Sequence, residues 1–589
     1  MKSSRPAALN KLRPTGRLPA AQRLDLIIGL PLRDLKGLTN LLAEIYDPAS
    51  TNFHQYLTPA RFNQRFSPSA ADYETLREFM SSNHFLITGT DPGRSLLNVN
   101  GSVSDIERVF GVRMLLYEHP IEPRSFYAPD TEPTIELAVP LLDVIGLDNS
   151  QLPRPNSHQE TRGNNPKPLV GSGPGSTYIG KDFPNAYAPG STLTGKGQTV
   201  GLLQLDGYYP ADIAAYEGLA GITNVPITNV LLDGATGSPS TNANAVSEVS
   251  LDIEMVISMA PGISNLLVYE APGSSTGPLD ILKRMASDNL ARQLSSSWAI
   301  GDSASADQVY QQFAAQGQSF FQSSGDRGAY YAGLTDREDS SFKTIVGGTI
   351  LTTGAGAVWK SETAWNDADG TNATGGGISG TYPIPDYQQP VNMSANQGSP
   401  TQRNSPDVAM VAQGVWVIYN NGSSGSFEGT SVATPLWAGY TALINEQAAK
   451  NQHPAVGFLN PIVYSLGRGL GYSSYFHDIL SGNNTNSVVT NNFAAVAGYD
   501  LCTGWGTPAG TNFINAVEGL AGAVWVAFGN PDPGDGSYSR PFNTLVRGRD
   551  AVAPGGTVAI KGPGSTAETA TITKALTLRG AGGMVTIGQ

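Results

Sequence analysis

The sequence has 589 residues, which is more than one hydrophobic core ordinarily holds, so two to four domains are expected. Charged residues make up only 14% of the chain, beside 68 glycines and 40 prolines, a composition typical of a loop-rich globular protein. The net charge of −13 argues against nucleic acid or an anionic membrane as the natural partner.

The cysteine content and the N-terminal segment do not indicate where in or outside the cell the protein works. Cys502 is the only cysteine, so an intrachain disulfide and a cysteine-based metal site are both excluded. The first 20 residues lack the continuous apolar segment of an ordinary signal peptide. No apolar run reaches the roughly 18 residues that would indicate a transmembrane helix.

Residues 1–150 are expected to form a separate α+β domain. They carry 15 Lys/Arg and 17 Asp/Glu, so most of the negative charge lies beyond them. Apolar residues repeat at helical spacing over 35–47, after a strand-like segment at 23–32. The further predicted elements are a helix over 71–83, strands over 84–90 and 95–101, a helix over 103–111 and a strand over 113–119.

Residues 151–175 are rich in Pro, Gly, Asn and Ser and form the clearest linker in the chain. Exposed linkers are where proteolysis concentrates, so we expect a maturation cut in this segment. Acidification is expected to trigger that cut, by weakening contacts between basic residues of the first domain and the acidic remainder of the chain.

Residues 176–522 alternate buried-strand patterns with helical ones, which predicts an α/β domain with a parallel sheet covered by helices. The clearest strands are at 198–207, 265–271 and 293–299, and the clearest helices at 210–221, 278–288 and 431–450. Residues 523–589 contain short β segments joined by tight turns, as in the rungs of a parallel β-helix. A β-helix with so few rungs is not expected to be stable alone. Either the natural chain is longer, or the tail packs on the preceding domain.

Ser431 stands at the start of an apolar helix in FEGTSVATPLWAG, where backbone N–H groups favour an oxyanion. The alternative is an ordinary helix-capping residue. A nucleophilic serine needs a base, and no histidine occurs between residues 159 and 452. This absence argues against a triad in the order Asp, His, Ser.

Carboxylates are the remaining candidates for the base. Glu248 and Asp252 are four residues apart and share one helix face, where burial and mutual repulsion would raise their pKa values. The alternative is an acidic first turn that complements the helix dipole. Glu254 points to another face, toward solvent or a structural partner. Asp326 follows an apolar strand, at the edge of the usual active-site crevice, unless it is only a turn residue.

Together these residues resemble the sedolisin family of serine-carboxyl peptidases, in particular its kumamolisin-like members, over roughly residues 22–522. The shared motifs are Glu248 and Asp252 in EVSLDIE, Trp298 in SSSW, Asp326 in SSGDRG, VGGT at 346–349, ETAWN at 362–366, SPDVAM at 405–410 and GTS ending at Ser431. YDPASTNFHQYLT and FNQRFSP are similar to the family's inhibitory propeptide. The resemblance implies a subtilisin-like sheet after an inhibitory propeptide domain.

The resemblance also implies the role of each catalytic residue. Ser431 attacks the peptide carbonyl, Glu248 takes its proton, and Asp252 orients Glu248 and shares that proton. Asp326, protonated, donates to the oxyanion, which implies an acidic pH optimum. This chain departs from the family pattern twice, with Gln204 where a further glutamate is usual and Glu428 where a small residue is usual.

A calcium site near the end of the peptidase domain is the one cofactor that the resemblance implies. Its ligands would be the carboxylates of Asp478 and Asp500 and the carbonyls of Ile479, Val496 and Gly498. Two ordinary turn aspartates are the alternative.

The sequence thus predicts a secreted, monomeric acid endopeptidase zymogen that acts on protein or peptide substrates. Its own propeptide would be the inhibitor, and no nucleic-acid or membrane partner is expected. Two alternatives stay open: a tripeptidyl-peptidase with the same residues, and a decayed peptidase that serves as a scaffold for a β-helix binding module.

Overall fold

The structure is a computed structural model with a mixed α/β fold. It describes residues 6, 9, 11–47, 50, 52–160, 170–331, 338–367, 372–469, 471–490, 493–520, 523–536, 540–552, 554, 556–581 and 584–588. Part of the expected maturation linker, residues 161–169, lies outside these ranges. Within them, no helix combines the length and apolarity needed to cross a bilayer.

The N-terminal domain contains an antiparallel sheet in the order β3-β4-β2-β7 and a second in the order β1-β5-β6. Its elements are β1 (Gly16–Arg17), β2 (Arg23–Gly29), α1 (Leu35–Tyr46), α2 (Pro59–Phe66), α3 (Ala70–Ser82), β3 (Leu86–Thr90), β4 (Leu96–Ser102), α4 (Val103–Phe110), β5 (Met114–Glu118), β6 (Ser125–Pro129) and β7 (Val144–Ile145). The residues that cap the ends of α3 and α4 are of the types that the sequence leads one to expect. Ser69 and Ser102 accept hydrogen bonds from the first turns of α3 and α4, and Gly111 ends α4 with φ 63°.

Two short strands follow in the segment after this domain, β8 (Arg154–Pro155) and β9 (His158–Gln159). Both pair with strands of the central domain, so the part of the linker that the structure describes is held against that domain.

The central domain is built on a mostly parallel sheet. Its elements are α5 (Asp182–Tyr187), β10 (Thr199–Gln204), α6 (Pro210–Ala220), β11 (Ile227–Leu231), α7 (Ala243–Met259), β12 (Asn265–Glu270), α8 (Gly277–Asp288), β13 (Gln293–Ser296), β14 (Trp298–Ala299), α9 (Ala304–Gln316), β15 (Ser319–Ser323), β16 (Arg327–Ala329), β17 (Thr344–Thr353), β18 (Trp359–Ala364), β19 (Ala373–Pro383), β20 (Gln402–Ser405), β21 (Val408–Val411), β22 (Gln413–Tyr419), β23 (Ser423–Glu428), α10 (Thr430–Lys450), α11 (Asn460–Gly467), α12 (Tyr472–Tyr475), β24 (Phe476–His477), β25 (Thr507–Pro508) and α13 (Gly510–Leu520).

Among the described residues, eight strands form this sheet in the order β11-β12-β10-β13-β15-β17-β18, with β21 also beside β17. The pairing is parallel except between β17 and β18. Strands β13 and β15 are buried at every residue, and successive side chains point to opposite faces, so both faces of the sheet are covered. The carboxyl ends of β10, β13 and β15 meet at one edge, which is where ligands bind in sheets of this kind.

The C-terminal tail packs on the central domain, which is one of the two outcomes expected from the sequence. Its elements are β26 (Val524–Val526), α14 (Leu545–Ala551), β27 (Thr557–Lys561), β28 (Gly564–Thr566), β29 (Thr577–Ala581) and β30 (Val585–Ile587), with parallel pairing in the orders β26-β27-β29 and β28-β30. Trp525 and Ala559 join the main hydrophobic core. The Arg579 guanidinium lies 4.9 Å from the ring centroid of Tyr475.

The N-terminal domain contacts the central domain chiefly through apolar side chains and neutral hydrogen bonds. Residues of α1 and α2 share a core with Phe458 and Ala314, and the Tyr46 hydroxyl donates to the Ala314 carbonyl at 2.7 Å. An ion pair across this interface joins Asp91 to Lys283 at 3.2 Å. In this pair the acid belongs to the N-terminal domain, which is the opposite polarity from the expected contact between its basic residues and an acidic peptidase domain.

Candidate active site

Ser431 is the second residue of α10 and its side chain is fully buried. The preceding Gly429 has φ 135°, a conformation that favours glycine. A Cβ on Gly429 would lie 2.3 Å from the carbonyl oxygen of Asn156 and 2.7 Å from Oδ2 of Asp326. The absence of a side chain at Gly429 therefore allows the linker backbone to approach the start of α10.

Glu248 and Asp252 lie one turn apart on α7, and both are fully buried. The first turn of α7 holds no acidic residue, so the alternative of a dipole-complementing turn does not apply. Glu248 Oε2 accepts a hydrogen bond from the Ser157 hydroxyl, while Glu248 Oε1 has no hydrogen-bond partner. Glu254, on another face, accepts from the backbone N–H of Ile418, which makes it a buried structural partner.

Asp252 accepts two strong hydrogen bonds that fix its orientation. Ser297 Oγ donates to Oδ1 at 2.6 Å and Gln204 Nε2 donates to Oδ2 at 2.6 Å. The indole N–H of Trp298 donates to Gln204 Oε1 at 2.9 Å, which holds the amide with its NH₂ toward Asp252. Gln204 thus supplies a neutral donor where the resemblance implied a third carboxyl group.

The two α7 carboxyl groups are poised to share a proton. Burial, then repulsion by Asp252, raises the pKa of Glu248 well above its usual value, against the Ser157 and Ser431 hydroxyls, which lower it. Burial raises the pKa of Asp252 to about 7, although the hydrogen bonds from Ser297 and Gln204 lower it. Two carboxyl groups this close do not ionise together, and the pair titrates as a unit.

Asp326 lies three residues after β15 ends and contacts Thr430, the residue before Ser431. Its Oδ1 accepts from both the backbone N–H and the hydroxyl of Thr430, each at 2.8 Å, while its Oδ2 has no hydrogen-bond partner. Burial raises the pKa of Asp326 to about 7, against His158 and the Thr430 donors, which lower it. The proton of the neutral acid belongs on Oδ2, because Oδ1 already accepts two hydrogen bonds.

The linker runs extended through the cleft between two strands of the central domain. Strand β8 pairs antiparallel with β14, and β9 pairs antiparallel with β23. Between them, the Asn156 N–H donates to the Ser297 carbonyl at 3.2 Å and the Ser431 N–H donates to the Asn156 carbonyl at 3.1 Å. The peptide bond after Asn156 is therefore the one presented to Ser431.

Glu428, the second departure from the family pattern, lies in the cleft wall opposite the linker. His158 Nε2 is 3.1 Å from Glu428 Oε1, and His158 Nδ1 is 3.7 Å from Asp326 Oδ2. His158, Glu428 and Asp367 form a group whose ligand atoms lie within 4.8 Å of one another, close enough to share a metal ion. Any such ion would depend on the linker being in place, because His158 belongs to it.

The predicted calcium ligands are brought together on one loop. Asp478 accepts from the Gly498 N–H at 3.1 Å and Asp500 accepts from the Val496 N–H at 3.2 Å. Asp500 and Ile479 are buried, and no Lys or Arg in the described ranges forms an ion pair with either aspartate. Two carboxylates without a basic partner are compatible with a bound divalent cation.

Sequence reasoning missed several residues that complete this site. Ser297 connects Asp252 to the backbone of Ser431, and its signal was the run of serines before Trp298. Asn156, Ser157 and His158 were assigned only to a breaker-rich linker. Nothing in their local pattern shows that they would pair with strands far away in the sequence.

Comparison with known proteins supports the same interpretation. Residues 10–147 match the family described as "Pro-kumamolisin, activation domain". Kumamolisin from Bacillus sp. (strain MN-32) is 29% identical, over 78% of this chain and 86% of that protein. Sedolisin from Pseudomonas sp. (strain 101) is 27% identical over 84% and 87%, and tripeptidyl-peptidase 1 from Rattus norvegicus is 25% identical over 84% and 91%.

The comparison of structures agrees. A solved Pseudomonas sedolisin, described as a serine-carboxyl proteinase in complex with pseudo-iodotyrostatin, matches with a TM-score of 0.50 at 27% identity. The match covers 58% of this chain and 98% of that one. These matches relate the chain to the sedolisin family. The protein is a serine-type peptidase, and its matched activation domain makes it a zymogen whose propeptide is the inhibitor.

Proposed function

We infer that this protein is an acid endopeptidase precursor in which Ser431 is the nucleophile, Glu248 and Asp252 form the base, and Asp326 donates to the oxyanion. The observation that carries this proposal is the convergence of these groups on one carbonyl. The Asn156 carbonyl already accepts the Ser431 N–H at 3.1 Å, as an oxyanion would.

The proton path is inferred from the unused acceptor on Glu248, because in this structure Ser431 Oγ donates to the Ser297 carbonyl at 3.3 Å. Ser431 Oγ attacks the carbonyl carbon, and its proton passes to Glu248, whose Oε1 has no other partner. Asp252 is held in place by hydrogen bonds from Ser297 and Gln204. One proton is then shared between the carboxyl groups of Asp252 and Glu248, so that Glu248 can accept the proton of Ser431. Glu248 then returns the proton to the leaving amine, so that no histidine is needed.

The oxyanion is stabilised by two donors. One is the Ser431 backbone N–H, at the positive end of α10. The other is the protonated Asp326, whose Oδ2 faces the space that also borders the Asn156 carbonyl oxygen. An ionised Asp326 would repel the oxyanion, so the neutral acid is the active form.

An endopeptidase is favoured over a tripeptidyl-peptidase by the course of the linker. The chain continues from the N-terminal domain into β8, then past Ser431 into β9, so the cleft holds peptide on both sides of the cut bond. A tripeptidyl-peptidase must instead stop its substrate three residues before that bond. Tripeptidyl-peptidase activity is the second candidate, because tripeptidyl-peptidase 1 is among the similar proteins.

The finer architectural assignments are part of this proposal. Residues 1–150 are the propeptide, 151–175 the linker, 176–522 a subtilisin-like peptidase domain and 523–589 a β-helix-like tail. Calcium would be held by Asp478 and Asp500 with the carbonyls of Ile479, Val496 and Gly498, and it would stabilise the loop that they share. We further propose that the protein is secreted and works as a monomer.

The nucleophile and base are tested by two near-isosteric variants. Ser431→Ala should abolish hydrolysis of denatured protein, and Glu248→Gln should lower kcat/KM by about 10²–10⁴-fold, because an amide cannot accept the proton. Glu254→Gln is the matched control, since it changes a buried glutamate of the same helix outside the site. A loss in Glu248→Gln no greater than in Glu254→Gln would remove Glu248 from the mechanism.

Asp326 is tested by its pH dependence. Because its pKa is raised to about 7, the neutral donor is present below pH 7 and is lost as the pH rises through it. Activity of the wild type should fall over that range. Asp326→Asn keeps a donor that cannot ionise, so its kcat/KM should be about 10- to 100-fold lower in acid but should not fall near pH 7. An unchanged alkaline limb in this variant would assign the titration to another group.

Maturation should begin at the bond between Asn156 and Ser157. After a step from pH 7 to pH 4, N-terminal sequencing should give Ser157 as the first new terminus, and Ser431→Ala should stay intact. Because the linker already lies in the cleft of its own chain, the rate should not depend on protein concentration. A rate proportional to concentration, or a first cut elsewhere, would contradict the intramolecular geometry.

Calcium is tested by thermal unfolding. A ligand that binds only the folded state at 100 times its Kd stabilises it by about 2.7 kcal/mol, so chelation should lower Tm by several degrees. Asp500→Asn should abolish that chelator effect. Asp212→Asn, which alters another buried carboxylate that accepts backbone N–H groups, should keep it. Equal chelator sensitivity in both variants would argue against the site.

A further inference from the structure

Glu428 occupies a position in the cleft that the proposed chemistry does not use. It is the last residue of β23, three residues before Ser431, and is only 5% exposed. In the register of β9 and β23 it lies directly opposite His158. His158 is the second residue after the bond presented to Ser431. Glu428 therefore faces the part of the substrate that lies C-terminal to the cut bond.

The carboxylate of Glu428 is held in one orientation. Gln413, its cross-strand neighbour on β22, donates to Oε2 at 2.7 Å. Oε1 is left to face His158 Nε2 at 3.1 Å. A buried carboxylate with one oxygen fixed and the other aimed at a substrate position is arranged for recognition.

The surroundings of His158 favour a positive charge. Asp326 and Asp367 are also close to this imidazole, so three carboxyl groups face it. The ring of Trp365 lies beside it, with the centroids 6.0 Å apart. The His158 side chain remains 32% exposed, which leaves room for a longer basic side chain. An aromatic wall and acidic neighbours suit a guanidinium or ammonium group as well as an imidazolium.

We propose that Glu428 is a specificity-determining residue that selects a basic side chain at the second residue after the cut bond, with His158 as its first occupant. The proposal rests on the proposed peptidase function. A substrate with Leu at that position would bury Glu428 Oε1 without a partner, and an acidic residue would add repulsion. Sites that leave a buried polar group unpaired discriminate strongly, so the preference should be about 10- to 100-fold in kcat/KM.

The test uses the mature enzyme and fluorogenic peptides that span Arg154 to Glu160, identical except at the position of His158. Peptides with His, Lys, Arg, Gln or Leu there are compared at pH 4, where histidine is charged. The wild type should cleave the Lys and Arg peptides at least about 10-fold faster, in kcat/KM, than the Leu peptide. Glu428→Gln should reduce this ratio to within about 3-fold, while Glu254→Gln should keep it.

Charge reversal gives an independent measurement. Glu428→Lys should prefer a peptide with Asp at the varied position over one with Lys. In the zymogen, His158→Leu should slow the first cut in the wild type and have little effect in the Glu428→Gln background, because the two residues act as a pair.

The outcomes separate this proposal from the function on which it rests. If no peptide is cut by any variant, the peptidase assignment fails. If the wild type cuts all peptides but the Lys-to-Leu ratio is the same in Glu428→Gln, the role of Glu428 is overturned. A ratio that disappears on chelation would mean that a metal ion, and not the direct pair, connects Glu428 to the substrate.

Discussion

The site depends on carboxyl groups that are buried close together and that, among the described residues, form no ion pair with lysine or arginine. Glu248, Asp252 and Asp326 surround Ser431, and burial is the largest cause of the raised pKa of each. Such groups stay neutral or singly ionised in acid. In the proposed mechanism one of them acts as the donor and another as the base, so that no histidine is required.

The same constraint extends beyond the active site to the stability of the domain. Burial raises the pKa of Glu270 to about 7 and of Asp280 to about 8, with neighbouring carboxylates contributing. A carboxyl group whose pKa is higher in the folded state stabilises the fold fully only below its unfolded pKa, near 4. That contribution is lost as the pH rises toward 7 or 8. Asp280 lies against Asn98 of the propeptide, so part of the effect falls on that interface.

The sequence predicted local structure better than it predicted contacts. Helices with clear apolar spacing, such as α1 and α3, and the position of Ser431 at the start of α10 could be found from pattern alone. The short helix α2 was missed, because its apolar content is two phenylalanines four residues apart. The pairing of β8 and β9 with strands far away in the chain depends on tertiary structure, and so does the bond between Ser297 and Asp252.

The contact between Ser157 and Glu248 also governs the fate of the chain after the first cut. The proposed hydrolysis after Asn156 would turn the Ser157 nitrogen into an ammonium group near Glu248, the proposed base, which already accepts from the Ser157 hydroxyl. The new terminus would then be held by charge in the cleft, with β9 still paired to β23. On the other side, α1 and α2 keep the severed domain docked through an apolar face. On this geometry, cleavage and release would be separate events, and departure of the products would set when the active site becomes accessible to a substrate.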